Sequence, residues 1–277
     1  MSPSRSFMLV LLPALFATGA VPRNVLATEP ETILLASTTS VENSGLLAHI
    51  LPEFTRATGI TVHVVAQGTG QALATAAHGD ADLLLVHDPE AEAAFMAAGH
   101  GASRQEIAWN DFIIVGPDSD PAHVVGTTDV LGALGAIAAA ETPFVSRGDK
   151  SGTDALEKRL WKAAGLDPAG TWYRDIGGGM GAALNAAAAM DGYTLSDRGT
   201  WLSFGHQSGM RIVLEGDARL LNRYDVILLD PKMHPQAKQA PAQRFAAWLA
   251  STEGQAAIGG YMIGGQRLFH PEADPKP

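Results

Sequence analysis

A chain of 277 residues, 46% of them hydrophobic, can bury a sizeable core, and its formal net charge of −10 argues against nucleic acid or an acidic membrane surface as partner. With no cysteine anywhere, disulfides, thiolate metal sites and a lipid-modified cysteine are all excluded. Net charge does not exclude a small anion, because exposed charges are screened beyond roughly 10 Å and a buried ion answers to its local donors.

At the N-terminus, Arg5 precedes an apolar run over residues 7–16 that is too short to span a membrane, and Val25-Leu26-Ala27 supplies small residues at a cleavage point. Residues 1–27 read as a secretory signal peptide, the alternative being a buried N-terminal helix. Removing them takes away Arg5 and Arg23 and no acid, leaving −12. No later stretch of about twenty apolar residues follows. The mature chain is therefore expected to be free and soluble in a Gram-negative periplasm, with no lipid anchor.

From there the pattern alternates between short apolar runs and helical periodicity. Strands are predicted over 33–36, 60–66 and 82–86, and helices over 45–58, 71–78 and 90–98, the first two helices ending at Gly59 and Gly79. This βαβαβ rhythm predicts a parallel sheet with ligands at the carboxyl ends of its strands. An apolar strand over 111–116 ends in Pro117-Asp118-Ser119-Asp120-Pro121, a turn-rich break after which the pattern restarts. A helix over 131–140 behind Asp129, a strand over 144–146 and a helix over 153–164 follow. The glycine run 177–181 opens a helix reaching residue 190. Strands over 214–215 and 224–229 and helices over 243–250 and 253–259 complete the chain.

The expected architecture is an α/β fold of two lobes, each a mainly parallel sheet flanked by helices, with the ligand in the cleft between them. Residues 28–113 and 219–277 form lobe 1, and residues 114–218 form lobe 2. The chain crosses near 111–116 and returns near 214–224.

Three junctions carry candidate chemistry. In each, a strand-like run stops at a donor-rich loop that opens a helix, where free N–H groups and the helix dipole favour an anion. The first is Ser37-Thr38-Thr39-Ser40, in which Ser40 or Asn43 could equally cap the following helix. The second is Gly68-Thr69-Gly70, whose glycines let backbone approach a ligand or simply make a turn. The third is Ser146-Arg147-Gly148-Asp149-Lys150-Ser151-Gly152-Thr153. Arg147 offers five fixed donors to a tetrahedral oxyanion, the competing reading being an ion pair with Asp149. The candidate ligand residues are Thr38, Thr39, Ser40, Thr69, Gly70, Arg147, Ser151, Gly152 and Thr153. The run 177–181 is either a further donor loop or a flexible connection. Arg198, beside Asp197, is a weaker candidate for ligand contact or for shaping the cleft.

Catalysis is not indicated. Ser151 lies outside any nucleophile-elbow pattern, and no His-x-x-x-His helix is present for a metal. His49, His63 and His78 read as surface or packing residues, and no cofactor is expected.

Taken in order, these motifs resemble the tungstate-binding periplasmic proteins that feed tungstate ABC transporters, over nearly the whole mature chain. The resemblance rests on Ser37–Ser40 with Ser44-Gly45-Leu46-Leu47, Gly68-Thr69-Gly70, Gly79-Asp80-Ala81-Asp82, Asn110-Asp111-Phe112, Arg147–Thr153, Gly179-Met180-Gly181 and Tyr193–Thr200. It implies a type II periplasmic-binding-protein fold that closes over tungstate or molybdate and presents it, as a monomer, to an inner-membrane permease. Asp154 departs from the family pattern after Ser-Gly-Thr, and an anion site requires it to face outward.

The loop at Arg147 also resembles that of phosphate-binding periplasmic proteins, which makes phosphate the competing ligand. Phosphate near neutrality carries a proton and needs a carboxylate acceptor, whereas tungstate and molybdate need donors only. His87 stands at the position of the phosphate family's acceptor, with Asp88 one residue away, and this favours donor-only recognition. A sensor or scavenger acting without a transporter is a further alternative.

Overall fold

The computed structural model describes residues 31–276. The expected signal segment lies outside those residues.

Chain order begins with β1 (Thr32–Thr38), α1 (Thr39–Asn43), α2 (Leu46–Thr58), β2 (Thr61–Gln67), α3 (Thr69–His78), β3 (Leu83–Val86), α4 (Pro89–Ala97) and β4 (Gly101–Pro117). It continues with α5 (Val130–Ala139), β5 (Phe144–Ser146), α6 (Gly152–Ala163), β6 (Tyr173–Asp175), α7 (Met180–Ala189), β7 (Tyr193–Asp197), α8 (Arg198–Ser203) and β8 (Met210–Leu214). The last elements are β9 (Leu221–Leu229), α9 (Gln239–Leu249), α10 (Thr252–Gly259), β10 (Met262–Ile263), β11 (Gln266–Arg267) and β12 (His270–Pro271).

In place of two mainly parallel sheets, one mixed ten-stranded sheet runs β2-β1-β3-β9-β4-β7-β5-β6, with β8 and β12 also paired to β4. The physical reason is β4. Its first part, to Asp111, pairs antiparallel with β9, and from Phe112 it pairs antiparallel with β7 and β8. The Pro117 break falls where β4 ends, so the sheet is not interrupted there. Parallel pairing survives on either side, between β1 and both β2 and β3, and between β5 and both β6 and β7.

Period-two alternation buries both faces. On one side of β4, Ile33, Leu35, Leu83, Leu85 and Val226 join the core packed by α2, α9 and α10. Their neighbours Ala36, Leu84, Val86 and Ile227 face α3 and α4 instead. On the other side, Phe112 and Ile114 pack with α5 and α6, and Ile113 and Val115 with α7 and α8. Four apolar clusters thus form two pairs, one for each half of the sheet.

The α5–α6 core contains a buried polar knot. On α6, Glu157 Oε1 accepts from Trp161 Nε1 at 3.1 Å and from the Tyr173 hydroxyl at 2.8 Å. Burial raises the Glu157 carboxyl to about 7, against those hydrogen bonds and with the Asp154 charge adding to the rise. A raised acid pKa means that the native state keeps a proton which the unfolded chain gives up. Folding stability is therefore expected to fall as pH rises from about 4.5 to about 7. Urea midpoints measured across that window should show the slope in wild type, and Glu157→Gln should flatten it.

Candidate functional site

The loops predicted from sequence meet at the carboxyl ends of parallel strands, where an α/β sheet offers helix N-termini to a ligand. Thr39, Ser40 and Asn43 of α1, Arg147 and Asp149 after β5, Gly179, Met180 and Gly181 at the start of α7, and Thr200 and Ser203 of α8 enclose a cleft of about 340 Å³. Larger hollows against Trp161 and Lys162, and against Trp109, Arg198 and His270, gather no such set of hydroxyls and helix N-termini.

Arg147 is 5% exposed. Its Nε donates to Asp149 Oδ2 at 3.1 Å, Nη2 donates to the same oxygen, and Nη1 donates to Thr153 Oγ1 at 3.4 Å. The ion-pair reading of this arginine is realised with Asp149, and the paired guanidinium lines the cleft. Of its five N–H donors, two remain uncommitted. Burial works against the Asp149 charge, but the Ser151 and Arg147 hydrogen bonds outweigh it and keep the carboxyl below the ordinary range. Asp149 Oδ1 accepts the Ser151 N–H at 3.1 Å, so both carboxylate oxygens have partners.

The loop geometry follows from two glycines. Gly148 has φ +60°, and a Cβ there would overlap the Asp175 carboxylate. At Gly152, a Cβ would stand 3.3 Å from His87 Cε1 and 3.6 Å from Thr69 Oγ1. This brings the start of α6 against α3 and the end of β3. Ser151 caps α6, its Oγ accepting the Asp154 N–H at 3.3 Å. Gly179 precedes α7 with no side-chain cap, so the first N–H groups of α7 face the cleft uncapped.

Behind the cleft floor lies a buried polar chain. Thr38 Oγ1 accepts the Val41 N–H at 3.1 Å and meets His87 Nε2 at 3.1 Å. His87 Nδ1 meets Asn222 Oδ1 at 3.0 Å, and Asn222 Nδ2 donates to Asn110 Oδ1 and to the Tyr224 hydroxyl. Both Asn222 donors are thus spent, and its Oδ1 must accept from a protonated Nδ1. Burial pulls the His87 pKa below the ordinary histidine range, opposed by the Asn222 hydrogen bond.

Of the nine candidate residues, Thr39, Ser40 and Arg147 line the cleft, and Thr153 holds Arg147. Thr38, Thr69, Ser151 and Gly152 are buried immediately behind them. Gly70 is exposed on the first turn of α3, apart from the cleft lining. Asp154 does not face outward as the sequence reading required. It is 2% exposed, with Oδ2 paired to Lys158 at 2.8 Å and Oδ1 accepting the Gly148 N–H at 3.2 Å, so its charge is met away from the cleft. Arg198 pairs not with Asp197 but with Asp111 and Glu215, while Asp197 caps α8. Of the run 177–181, Gly179, Met180 and Gly181 line the cleft, while the Gly177 and Gly178 N–H groups are spent on Asp175 Oδ1 and the Arg147 carbonyl. Thr200 and Ser203 were missed as candidates, although the Asp197-to-Thr200 capping spacing was a signal for their helix.

The sequence matches the profile of the PBP superfamily domain over residues 26–253. It is 42% identical to the tungstate-binding protein TupA of Peptoclostridium acidaminophilum over 274 residues, spanning 95% of this chain and 96% of that one. The structure is similar to a tungstate-binding protein, TupA, from Desulfovibrio alaskensis G20, with TM-score 0.80 and 42% identity over 88% of this chain and all of that one. It is also similar to the tungstate ABC transporter structure from Geobacter sulfurreducens, with TM-score 0.76 and 40% identity over 83% of this chain and 99% of that one.

The polar chain predicts a stability effect of its own. Asn222→Ala leaves the Asn110 carbonyl and His87 Nδ1 buried without partners, and should cost about 1–3 kcal/mol. Equilibrium denaturation of the variant against wild type measures it.

Proposed function

The chain belongs to the PBP superfamily and to the family of the tungstate-binding proteins, and from that premise we propose that it captures tungstate in the periplasm and delivers it, as a monomer, to the permease of an ABC transporter. It is a binding protein, not an enzyme. One observation carries the reading: hydroxyls, a buried guanidinium and uncapped helix N–H groups converge on one cleft whose single carboxylate is already committed.

Arg147, Thr39, Ser40 and the first N–H groups of α6 and α7 are the proposed donors, with Thr69, Ser151, Gly152 and Thr153 completing and bracing the ring. Such a set suits a fully deprotonated tetrahedral dianion. Phosphate would bring a P–OH in need of an acceptor. Asp88 does not supply one, since it is not among the residues lining the cleft and its Oδ1 caps α4 by accepting from Glu90 and Ala91 N–H. Molybdate matches tungstate in charge and shape, and the preference for tungstate rests on the relatives.

The two halves of the sheet are the proposed lobes, residues 28–113 with 219–277 and residues 114–218. The β4 strand and the return into β9 join them. Support comes from the paired apolar clusters and from a cleft lined by α1 on one side and by the loop after β5, the start of α7 and α8 on the other.

The test is a thermal-shift panel with tungstate, molybdate, sulfate and phosphate on wild type and Arg147→Ala. A ligand at about 100 times its dissociation constant stabilises by about 2.7 kcal/mol. Tungstate and molybdate should shift wild type and phosphate should not. Arg147→Ala should lose about 1.5–3 kcal/mol of binding free energy or more. No shift with any oxyanion would overturn the reading, and an unchanged shift in Arg147→Ala would remove this residue from the site.

A further inference from the structure

A dianion entering this cleft meets no net positive charge, because among the described residues Arg147 and Asp149 are the only charged ones lining it and they neutralise each other. Behind the cleft stands a titratable base, His87. It is 6% exposed, hydrogen-bonded to Thr38 directly behind the cleft and packed against Gly152 at the start of α6. In the neutral ring, Nδ1–H serves Asn222, so Nε2 carries a lone pair. The Thr38 hydroxyl must then donate to Nε2 while its oxygen accepts from Val41. That hydroxyl is spent inward and has no proton to offer an anion.

We propose that His87 is the proton-linked specificity residue of the cleft: oxyanion capture is accompanied by uptake of a proton from solvent at His87 Nε2, which frees the Thr38 hydroxyl to donate to the anion. The proposal rests on the oxyanion reading above. The proton balance is simple. Nε2 gains one proton and becomes a donor to Thr38 Oγ1, and the hydroxyl hydrogen that had pointed at Nε2 turns toward the ligand. One step adds a positive charge behind the cleft and one donor to its ring.

The surroundings of the ring support such a switch. Asp197 at the end of β7 and Asp88 at the start of α4 favour the imidazolium, while burial and the Arg147 charge after β5 oppose it. Tyr224 of β9 stacks on the ring at 5.1 Å, and Asn222 of the same strand holds Nδ1–H in both protonation states. With carboxylates and a guanidinium pulling in opposite directions, a dianion close by favours the charged form. With both ring N–H groups spent on Asn222 and Thr38, a protonated His87 adds positive charge and offers no acceptor to a P–OH group.

Calorimetric titration of the full mature chain with sodium tungstate and with sodium molybdate tests this. Buffers of different ionisation heat should be used from about pH 6.5 to about pH 9. Wild type should take up a proton, approaching about one per anion bound, with affinity falling by up to about tenfold per pH unit across the window. His87→Gln should bind more weakly, with no uptake and a flat pH profile. Melting curves without anion establish that the variant is folded. If it is not, the wild-type histidine ¹⁵N spectrum serves instead, with one imidazole passing from the Nδ1–H form to the imidazolium on addition of molybdate. Binding without proton uptake, or equal uptake in His87→Gln, overturns the proposal and leaves the oxyanion site standing. Failure of both anions to bind removes the oxyanion reading itself, and this proposal with it.

Discussion

Burying the guanidinium of Arg147 at the mouth of β5 sets the conditions that the rest of the cleft must meet. An isolated buried charge is costly, and a guanidinium needs most of its five donors satisfied. Asp149 and Thr153 meet three of them. To do so, the loop must fold tightly enough that Gly148 takes a left-handed φ against Asp175 and Ser151 turns back to cap α6. Arg147 is thereby fixed before any ligand arrives, with two donors still available. The neighbouring loops bring hydroxyls and helix N-termini to the same place because they follow strands of two parallel sets, β1 with β2 and β3 and β5 with β6 and β7, that run in opposite senses in one sheet.

Selectivity in such a cleft comes from what is withheld. Hydroxyl and amide donors face inward, while the nearby carboxylates are committed to structure. Asp149 holds Arg147, Asp88 caps α4, Asp154 pairs with Lys158, and Asp197 caps α8. An anion that carries its own proton meets one carboxylate in the lining, Asp149, and both of its oxygens already accept hydrogen bonds. The affinity for a dianion must then come from hydrogen bonds and helix dipoles acting at low local dielectric, where each is stronger than in water. Binding without a matching cation is demanding, and a histidine wired to Thr38, next in sequence to the cleft-lining Thr39, is one means of meeting the demand.

Much of this was legible in the sequence because it is local. The apolar periodicity of the strands and helices fixes α2, α3, α5 and α9 to within a few residues, and two of the donor-rich loops at strand ends contribute residues to the cleft lining. What escaped depends on tertiary placement. The strands β6 and β7 are three and five residues long, and β7 is buried throughout, so neither shows alternation. The first half of β4 is polar and exposed, its strand character supplied by pairing with β9 more than a hundred residues later. For the same reason the sheet is continuous where the Pro117 punctuation suggested a break. Asn222 and Asn110 are 112 positions apart, and nothing local to either announces their link to His87. Asp154 illustrates the converse: a carboxylate beside an anion site reads as a liability until Lys158, one turn along α6, is seen to engage it.

The most direct measurement is a crystal of the protein grown with tungstate, in which tungsten is located by its anomalous scattering. A donor-only cleft places a single strong peak beside Arg147, with oxygens within hydrogen-bond distance of its free N–H groups, of the α1 hydroxyls and of a helix N-terminus. A peak elsewhere on the molecule, or an empty cleft at saturating tungstate, would contradict it.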